Sequence, residues 1–386
     1  MSYLKQYEND IYGCTSLRCG GCGIVCPGFT AEGLESNTPR GKMRIAKGVL
    51  EGELELTDAL VERVYFCVQC GECTHRCAFG PTHVIDALKA EIVKAGRAPR
   101  QVYIMSESLQ QHNMCFQPHE KRLECLPEEM RTPRKADVLF YVSCHPAYLS
   151  PASVHATAKV LDAAGVKWTT LGEDEWCCGL PMIQCGMPDK AREYFEHNVN
   201  AINRAARDLG VTKLIASCPG CTTGFKMYPA RYGLKLQVEV LHITEFYSQL
   251  IREERIRFKE WKTVVAYHDA CQLRWQEVFE APRECLKAIP GVQLVEIEPN
   301  RDFASCCGAI PWWGSWEKSS GLRPDPRYVH LTHKITLKRI REIEESKADT
   351  VVVGCRGCLK LDSMMKAKRS GIKVMLISEV IEKNMI

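Results

Sequence analysis

The stretch KLIASCPGC at residues 213–221 decides the fold, because a short apolar run ends directly at a pair of cysteines. The stretch DTVVVGCRGC at 349–358 has the same form. Short apolar runs that alternate with helix-like stretches predict the buried strands of a parallel sheet. Such strands end at one edge of the sheet, where open α/β folds bind their ligands. From Ala136 onward the sequence therefore predicts α/β units that carry cysteines at a ligand-binding edge.

Landmarks of this region recur in the same order, which indicates an internal duplication. The pairs are LFYVSCHPAY (139–148) with VVAYHDACQL (264–273), EWCCGLP (175–181) with SCCGAIP (305–311), 213–221 with 349–358, and VEVLHITEF (238–246) with VMLISEVIE (374–382). The predicted divisions are a front domain at 1–100, a connector at 101–135, and α/β domains at 136–255 and 256–386. The predicted class is α+β overall, with a mainly helical front domain followed by two tandem parallel-sheet domains.

Cysteine content separates this chain from an ordinary globular protein, with 22 cysteines among 386 residues. No long apolar stretch or signal-like start is present, so we expect a cytoplasmic protein, with attachment to a membrane through a partner as the alternative. In a reducing compartment, clustered thiols bind metal or carry out redox chemistry. The formal charge of +4 comes without a run of basic residues, which argues against nucleic acid as a partner.

Two runs of four cysteines occupy the front domain. The first front run is Cys14, Cys19, Cys22 and Cys26, followed by Pro27, and the second front run is Cys67, Cys70, Cys73 and Cys77. In two-cluster ferredoxins the fourth cysteine of each run ligates the other cluster. The predicted ligands are Cys14, Cys19, Cys22 and Cys77 for one cubane [4Fe–4S] cluster, and Cys67, Cys70, Cys73 and Cys26 for the other. A plant-type single cluster leaves the second run unexplained, and zinc seldom needs four cysteines in so short a run twice.

Each α/β domain offers five cysteines. The first five-cysteine set is Cys144, Cys177, Cys178, Cys218 and Cys221, and the second five-cysteine set is Cys271, Cys306, Cys307, Cys355 and Cys358. Adjacent cysteines are expected to point apart, so the vicinal pairs favour an object with several irons over a single ion. Five sulfurs exceed the four that zinc or a regular cubane uses. A thioredoxin-like dithiol explains neither the vicinal pairs nor Cys144 and Cys271.

The motif C-x31–39-C-C-G followed by C-x2-C resembles the cysteine-rich CCG domain. Two such motifs behind a two-cluster ferredoxin-like domain resemble the D subunit of heterodisulfide reductases, or a fusion of the separate C and B subunits of that enzyme. The linker-like stretch TPRGKMRIAKGVLEG at 38–52 is also similar to that family. The resemblance implies a non-cubane [4Fe–4S] cluster in each five-cysteine set and electrons supplied through the two front cubanes.

Two functions remain open under this resemblance. In the first, the chain exchanges electrons with a thiol/disulfide pair, as heterodisulfide reductase does. In the second, it only relays electrons inside a larger complex, as the similar iron–sulfur subunits of glycolate, lactate and glycerol-3-phosphate dehydrogenases and of benzoyl-CoA-reductase-type assemblies do. No dinucleotide or P-loop motif is present, so we expect no flavin or nucleotide on this chain. The expected partner is a flavin-containing protein of the heterodisulfide reductase A, flavin dehydrogenase or electron-transfer flavoprotein type, or a membrane haem protein.

Several residues lie outside these motifs. His145 and His268 are candidates for hydrogen bonding to a cluster or for proton transfer, with a purely structural role as the alternative. Four further cysteines are expected to be buried small hydrophobic residues, namely Cys115, Cys125, Cys185 and Cys285. The aromatic stretch 310–316 holds Trp312, Trp313 and Trp316, which are expected to cover the second five-cysteine set or to line a substrate cleft.

Overall fold

The computed structural model of the chain describes residues 2–17, 19–115, 121–309 and 325–386. The front of the chain is helical, with α1 (Glu8–Ser16), α2 (Gly21–Val25), α3 (Pro27–Glu32), α4 (Pro39–Leu50), α5 (Asp58–Tyr65), α6 (Glu72–His75), α7 (Pro81–Lys94) and α8 (Arg100–His112). Short 3-10 helices lie at Lys5–Tyr7, Glu35–Asn37, Arg122–Cys125 and Glu128–Met130. Helices α3, α4 and α7 begin at prolines, which fit the first helical turn because no N–H is needed there.

The first sheet is parallel and has the strand order β2-β1-β3-β4. Its strands are β1 (Val138–Tyr141), β2 (Trp168–Thr169), β3 (Lys213–Ala216) and β4 (Glu239–His242). Its helices are α9 (Cys144–Leu149), α10 (Pro151–Ala163), α11 (Leu180–Cys185), α12 (Pro188–Leu209), α13 (Pro219–Met227) and α14 (Ile243–Arg252), with 3-10 helices at Gly172–Asp174 and Pro229–Tyr232.

The second sheet is also parallel and has the corresponding order β6-β5-β7-β8. Its strands are β5 (Thr263–His268), β6 (Val292–Val295), β7 (Thr350–Val353) and β8 (Lys373–Leu376). Its helices are α15 (Cys271–Arg274), α16 (Glu280–Lys287), α17 (Pro326–Glu345), α18 (Lys360–Lys368) and α19 (Ile377–Asn384), with 3-10 helices at Arg301–Phe303 and Arg356–Leu359.

The prediction of parallel sheets behind a helical front region is confirmed. Strands β1 and β7 are buried along their whole length, as expected for strands covered by helices on both faces. The apolar landmarks contain β1, β3, β4, β5, β7 and β8, but the sequence analysis missed the edge strands β2 and β6. Strand β2 is only two residues long, and β6 is partly exposed, so neither has a strong apolar pattern.

The segment expected to be a polar connector carries α8, which begins at Arg100. Met105 and Leu109 of this helix are buried, and the hydroxyl of Tyr194 donates to the carbonyl of Leu109 at 2.7 Å. The segment therefore packs against α12 of the first sheet. Among the described residues, no helix is both long enough and apolar enough to span a membrane.

Candidate metal centre

The first front run lies on short helices that bring its cysteines close to one cysteine of the second run. Cys14 lies in α1 and Cys22 in α2, and both thiols interact electrostatically with Cys77. Burial, followed by the thiols of Cys77 and Cys22, raises the pKa of Cys14 to about 11. Cys19 is exposed and interacts more weakly with Cys14. Cys14 and Cys22 therefore each interact with both Cys19 and Cys77, the other two cysteines that the sequence assigned to one cubane.

Cys26 lies with the second front run. Burial is the main cause of its raised pKa, and the thiol of Cys67 raises it further. Burial, followed by Cys67, raises the pKa of Cys73 to about 12. Lys42 is buried beside these thiols, and its Nζ donates to the carbonyl of Asn37 at 2.6 Å. Burial lowers the pKa of Lys42, whereas the neighbouring thiols of Cys67, Cys26 and Cys73 favour its charged form.

The first five-cysteine set converges at the carboxyl edge of the first sheet. Cys144 follows β1, and Cys218 and Cys221 follow β3. Neighbouring thiols of this set lie close enough to shift one another's pKa, in the order Cys144, Cys177, Cys178, Cys221 and Cys218. The structure thus brings all five cysteines of this set together.

Cys115 is a sixth thiol beside this set. Its Sγ lies 3.6 Å from Sγ of Cys144, and the sulfurs of Cys115, Cys144 and Cys177 all lie within 4.8 Å of one another. Hydrogen bonds from Cys115, Cys144 and Cys178 lower the pKa of Cys177 well below its usual range. The N–H of Cys177 donates to the carbonyl of Asn113 at 2.8 Å, which ties the end of α8 to the vicinal pair. Cys115 is buried as predicted, but it contacts the set instead of lying apart from it.

The second five-cysteine set converges in the same way at the edge of the second sheet. Side-chain hydrogen bonds link Cys306 to Cys307, Cys307 to Cys358, and Cys358 to Cys355. Cys271 interacts electrostatically with Cys307 and Cys355, and burial raises its pKa to about 12. The five cysteines of this set therefore lie near one another at the edge of the second sheet.

The two candidate histidines differ in their surroundings. His268 is buried, and one ring nitrogen lies within 4.8 Å of the sulfurs of Cys307 and Cys358. The Nε of Arg339 donates to Nδ1 of His268 at 3.1 Å. Burial lowers the pKa of His145 to about 4, so this ring is uncharged at neutral pH.

The expectation that adjacent cysteines point apart is wrong. The thiols of Cys177 and Cys178 lie close enough to shift each other's pKa, and so do those of Cys306 and Cys307. Successive side chains alternate only in an extended strand. Each pair instead enters a turn at a glycine with positive φ, +89° after the first pair and +75° after the second. Both thiols of a pair can therefore face the same site.

A buried ion pair holds the loops of the first set. Glu175 accepts hydrogen bonds from the backbone N–H groups of Val142 at 3.0 Å and Ser143 at 2.9 Å. Nη1 of Arg122 donates to the Glu175 carboxylate at 3.1 Å and to the carbonyl of Trp176 at 3.0 Å. This pair ties the loop after β1 to the residues immediately before the vicinal cysteines.

A second ion pair holds the loop that follows β5. The guanidinium of Arg283 binds both carboxylate oxygens of Asp269, at 2.8 and 2.9 Å. The N–H of Arg301 donates to the same carboxylate at 2.8 Å. Such bidentate pairing fixes direction as well as distance, so the loop that leads to Cys271 has a defined path.

The second front run contacts the second sheet through Arg274. Its guanidinium pairs with Glu72 at 2.5 Å and donates to the carbonyls of Cys70 at 3.4 Å and Ala304 at 2.9 Å. The indole of Trp275 also donates to the carbonyl of Cys70, at 3.1 Å. These contacts join the loop of a front cysteine to the helix that begins at Cys271.

The segments that carry the two five-cysteine sets contact each other, since Oγ1 of Thr223 donates to the carbonyl of Gln272 at 2.9 Å. The thiols of Cys218 and Cys355 interact electrostatically, although they belong to different sheets. The guanidinium of Arg356 bridges the same boundary and donates to the carbonyl of Leu149 at 3.2 Å. The carboxyl edges of the two sheets therefore meet at a shared boundary that carries thiols from both sides.

The donor groups fit iron–sulfur clusters. Thiolate sulfur is the ligand that such clusters use, and these thiols lie in four separate groups. Backbone without a side chain borders the first set, since a Cβ at Gly224 would lie 3.8 Å from Sγ of Cys178 and 3.5 Å from its carbonyl. Buried cations at Lys42 and Arg274 offset the charge that ligating thiolates bring.

Sequence reasoning missed several residues beside the thiols, namely Cys115, Lys42, Arg274 and Arg339. Arg274 and Lys42 carry a weak signal, because they lie near cysteine motifs in the chain. Cys115 carries none, since it lies 29 residues before Cys144 and belongs to no spacing pattern. The aromatic stretch with Trp312, Trp313 and Trp316 lies outside the described residues, so its expected role stays a prediction.

Family models match both parts of the chain. A 4Fe-4S dicluster domain matches residues 8–80, and a cysteine-rich domain, CCG, matches residues 138–226 and 265–361. The chain is 33% identical to the D subunit of the dihydromethanophenazine:CoB–CoM heterodisulfide reductase of Methanosarcina mazei, over 97% of this chain and 93% of that protein.

The chain is also similar to a more distant curated protein and to a solved structure. The B subunit of the fumarate reductase (CoM/CoB) of Methanothermobacter marburgensis is 28% identical, over 98% of this chain and 73% of that protein. A solved structure of a hypothetical protein from Helicobacter pylori has a TM-score of 0.54 at 10% identity, covering 99% of this chain and 76% of that one. The structural match indicates a related fold.

Proposed function

Because the chain belongs to the family of heterodisulfide reductase D subunits, we propose that this iron–sulfur oxidoreductase component exchanges electrons with a thiol/disulfide pair. The observation that carries the proposal is the contact between the segments that carry the two five-cysteine sets, through Thr223 with Gln272 and Arg356 with Leu149. A disulfide has two sulfurs, and each can meet one set at such a boundary. If the two five-cysteine sets lay far apart, the structure would give no reason to assign a disulfide as the substrate.

Four clusters are proposed for this chain. One cubane is held by Cys14, Cys19, Cys22 and Cys77, and the other by Cys67, Cys70, Cys73 and Cys26. A non-cubane [4Fe–4S] cluster is held by each five-cysteine set. When bound, these clusters supply one-electron carriers and iron atoms that have affinity for sulfur. The electrostatic grouping of the front thiols supports the crossed assignment of Cys26 and Cys77.

The protein side chains hold the redox groups in place and exclude water from them. Arg274 and Glu72 fasten the second front run to the helix that begins at Cys271. Arg122 and Glu175 align the loops of the first set. Arg356 links the two α/β units through its hydrogen bond to the carbonyl of Leu149. The thiols of the two five-cysteine sets are buried or partly buried, which limits the access of water, so the charges around them act through a medium of lowered dielectric constant.

The domain limits 136–255 and 256–386 and their origin by tandem duplication are part of the proposal. The corresponding strand orders β2-β1-β3-β4 and β6-β5-β7-β8 support it. So does the equivalent position of the two sets, each at the carboxyl edge of its sheet. A duplicated unit explains why each half needs the same vicinal pair and the same C-x2-C motif.

A relay without its own substrate is the second candidate function. The contact from Arg274 and Trp275 to the carbonyl of Cys70 favours it, because it joins a front run to the second five-cysteine set within the protein. The clusters proposed for the two five-cysteine sets are called the rear clusters. In either function, the proposed electron source is a flavin-containing protein of the same complex, or a haem protein in a membrane. The absence of a nucleotide-binding motif from the sequence supports a separate flavoprotein.

Electron paramagnetic resonance (EPR) of the anaerobically purified, oxidised protein tests the proposal. Iron analysis should give about 16 irons per chain, which corresponds to four [4Fe–4S] clusters. We expect a new paramagnetic signal when one particular thiol is added, because substrate sulfur then contacts a rear cluster. If the protein holds its full iron content but its EPR spectrum changes with none of a panel of thiols, the catalytic proposal is wrong and the relay function is favoured. About eight irons per chain would refute the rear clusters.

A further inference from the structure

The two five-cysteine sets differ in the group that lies next to them. In the first set, Cys115 places a thiol within 4.8 Å of Cys144 and Cys177. In the second set, His268 places a ring nitrogen within 4.8 Å of Cys307 and Cys358. The two sets share their cysteine spacing, but Cys115 lies before the first motif and His268 lies within the motif at 264–273. It makes the two sites chemically unequal.

Cys115 meets the geometric requirement of a metal ligand. With metal–sulfur bonds of about 2.3 Å, two sulfurs on one tetrahedral metal lie about 3.8 Å apart. The observed distance from Cys115 to Cys144 is 3.6 Å. Cys115 is completely buried, and the backbone hydrogen bond from Cys177 to Asn113 fixes the segment that carries it. It therefore reaches the set without a change of fold.

His268 is held as a hydrogen-bond donor. Arg339 can only donate, so Nδ1 of His268 must accept the 3.1 Å hydrogen bond from its Nε. The hydrogen of the neutral ring therefore lies on Nε2. One ring nitrogen of His268 lies within 4.8 Å of the sulfurs of Cys307 and Cys358, and only the Nε2 N–H can donate to a thiolate there. With Nδ1 occupied and Nε2 protonated, the ring has no lone pair for iron.

Lys360 adds a positive charge to the second set. Its Nζ donates to the carbonyl of Gly308 at 3.0 Å, directly after the vicinal pair. Its charge interacts with the thiols of Cys307 and Cys306. In the first set the nearby guanidinium of Arg122 is instead compensated by the buried carboxylate of Glu175. The surroundings of the second set are therefore the more positive.

We propose that Cys115 is a sixth thiolate ligand of the first rear cluster, while His268 and Lys360 stabilise the reduced form of the second. A further thiolate disfavours added electrons, and N–H···S bonds and positive charge favour them. The second cluster therefore has the higher reduction potential. The inference rests on the proposed function, because it requires a cluster in each five-cysteine set.

Redox titration of the holoprotein, followed by EPR, tests the inference. Cys115→Ala should raise the potential of one rear signal, and His268→Leu should lower the potential of the other. His268→Gln keeps an N–H donor and should restore most of that loss. Cys285→Ala is the matched control, since Cys285 is buried beside the carbonyl of Thr244 and lies outside both sets.

The outcomes separate this inference from the proposed function. About 16 irons per chain with potentials in Cys115→Ala that match those of Cys285→Ala would overturn the ligand role of Cys115 alone. Equal potentials for His268→Gln and His268→Leu would overturn the donor role. If Cys115→Ala does not fold, Cys115→Ser is measured instead, and unchanged g values of the first rear signal would count against ligation. An unmodified protein that contains only about eight irons per chain lacks the rear clusters and would refute the proposed function itself.

Discussion

Replacing Arg122 by methionine isolates the contribution of the buried ion pair at the first five-cysteine set. Arg122 and Glu175 are 8% and 5% exposed, and Glu175 retains only two backbone donors once the guanidinium is gone. Removing one partner of a buried pair costs about 3–5 kcal/mol, because the other charge stays buried. Arg122→Met also leaves the carbonyls of Glu175 and Trp176 without their side-chain donor.

The adjacent residue provides a matched control. Lys121 pairs with Glu173 at 3.5 Å, but their side chains are 79% and 92% exposed. An exposed pair contributes at most about 1 kcal/mol, so Lys121→Met should have little effect. At roughly 2–4 °C per kcal/mol for a domain of this size, Arg122→Met should lower the apparent Tm by about 6–20 °C.

Anaerobic thermal unfolding, followed by circular dichroism and by cluster absorption, measures both variants. Cluster absorption should be lost at the same lowered temperature, because the pair aligns the loops that carry Cys144 and Cys177. The double variant Arg122→Met/Glu175→Gln should regain part of the stability, since no charge is then left unpaired. An Arg122→Met variant as stable as Lys121→Met would refute the reasoning.

Two further predictions concern backbone and charge. Gly308→Ala should lower the free energy of unfolding by more than Gly371→Ala does. Both glycines have φ near +75°, so both variants share a backbone strain of about 1–2 kcal/mol, but only at Gly308 would the added Cβ also clash, at 2.4 Å from Oγ1 of Thr336. Equal losses of stability in chemical denaturation would contradict this prediction. Burial raises the pKa of Asp86 to about 7 from 3.8, so the folded state binds more protons between these values and stability falls as pH rises toward 7. Asp86→Asn should remove this pH dependence of the free energy of unfolding, which amounts to at most about 1.4 kcal/mol per pH unit. Chemical denaturation between pH 5.5 and 8 measures it, with the exposed Asp58→Asn as the control that should leave the pH dependence unchanged.

The ligands proposed from the sequence are residues that follow one another at short spacing in the chain. An apolar run that ends at Cys218 or Cys355 predicts both a buried strand and its ligand-bearing end, because strand and loop are adjacent in the chain. The same logic missed β2 and β6, since a short or partly exposed edge strand needs little apolar pattern. It also misjudged the vicinal cysteines, because their direction depends on the turn made by the following glycine.

The sequence by itself determined the helical front region, the two parallel sheets and the cysteines available to each, since these depend on local pattern and spacing. Only the tertiary structure decided what lies beside those thiols. Cys115 comes from the end of α8, Arg274 reaches the loop of Cys70 from another sheet, and Arg339 orients His268 from α17. Contacts between distant segments depend on how helices pack, and no spacing within one motif encodes them.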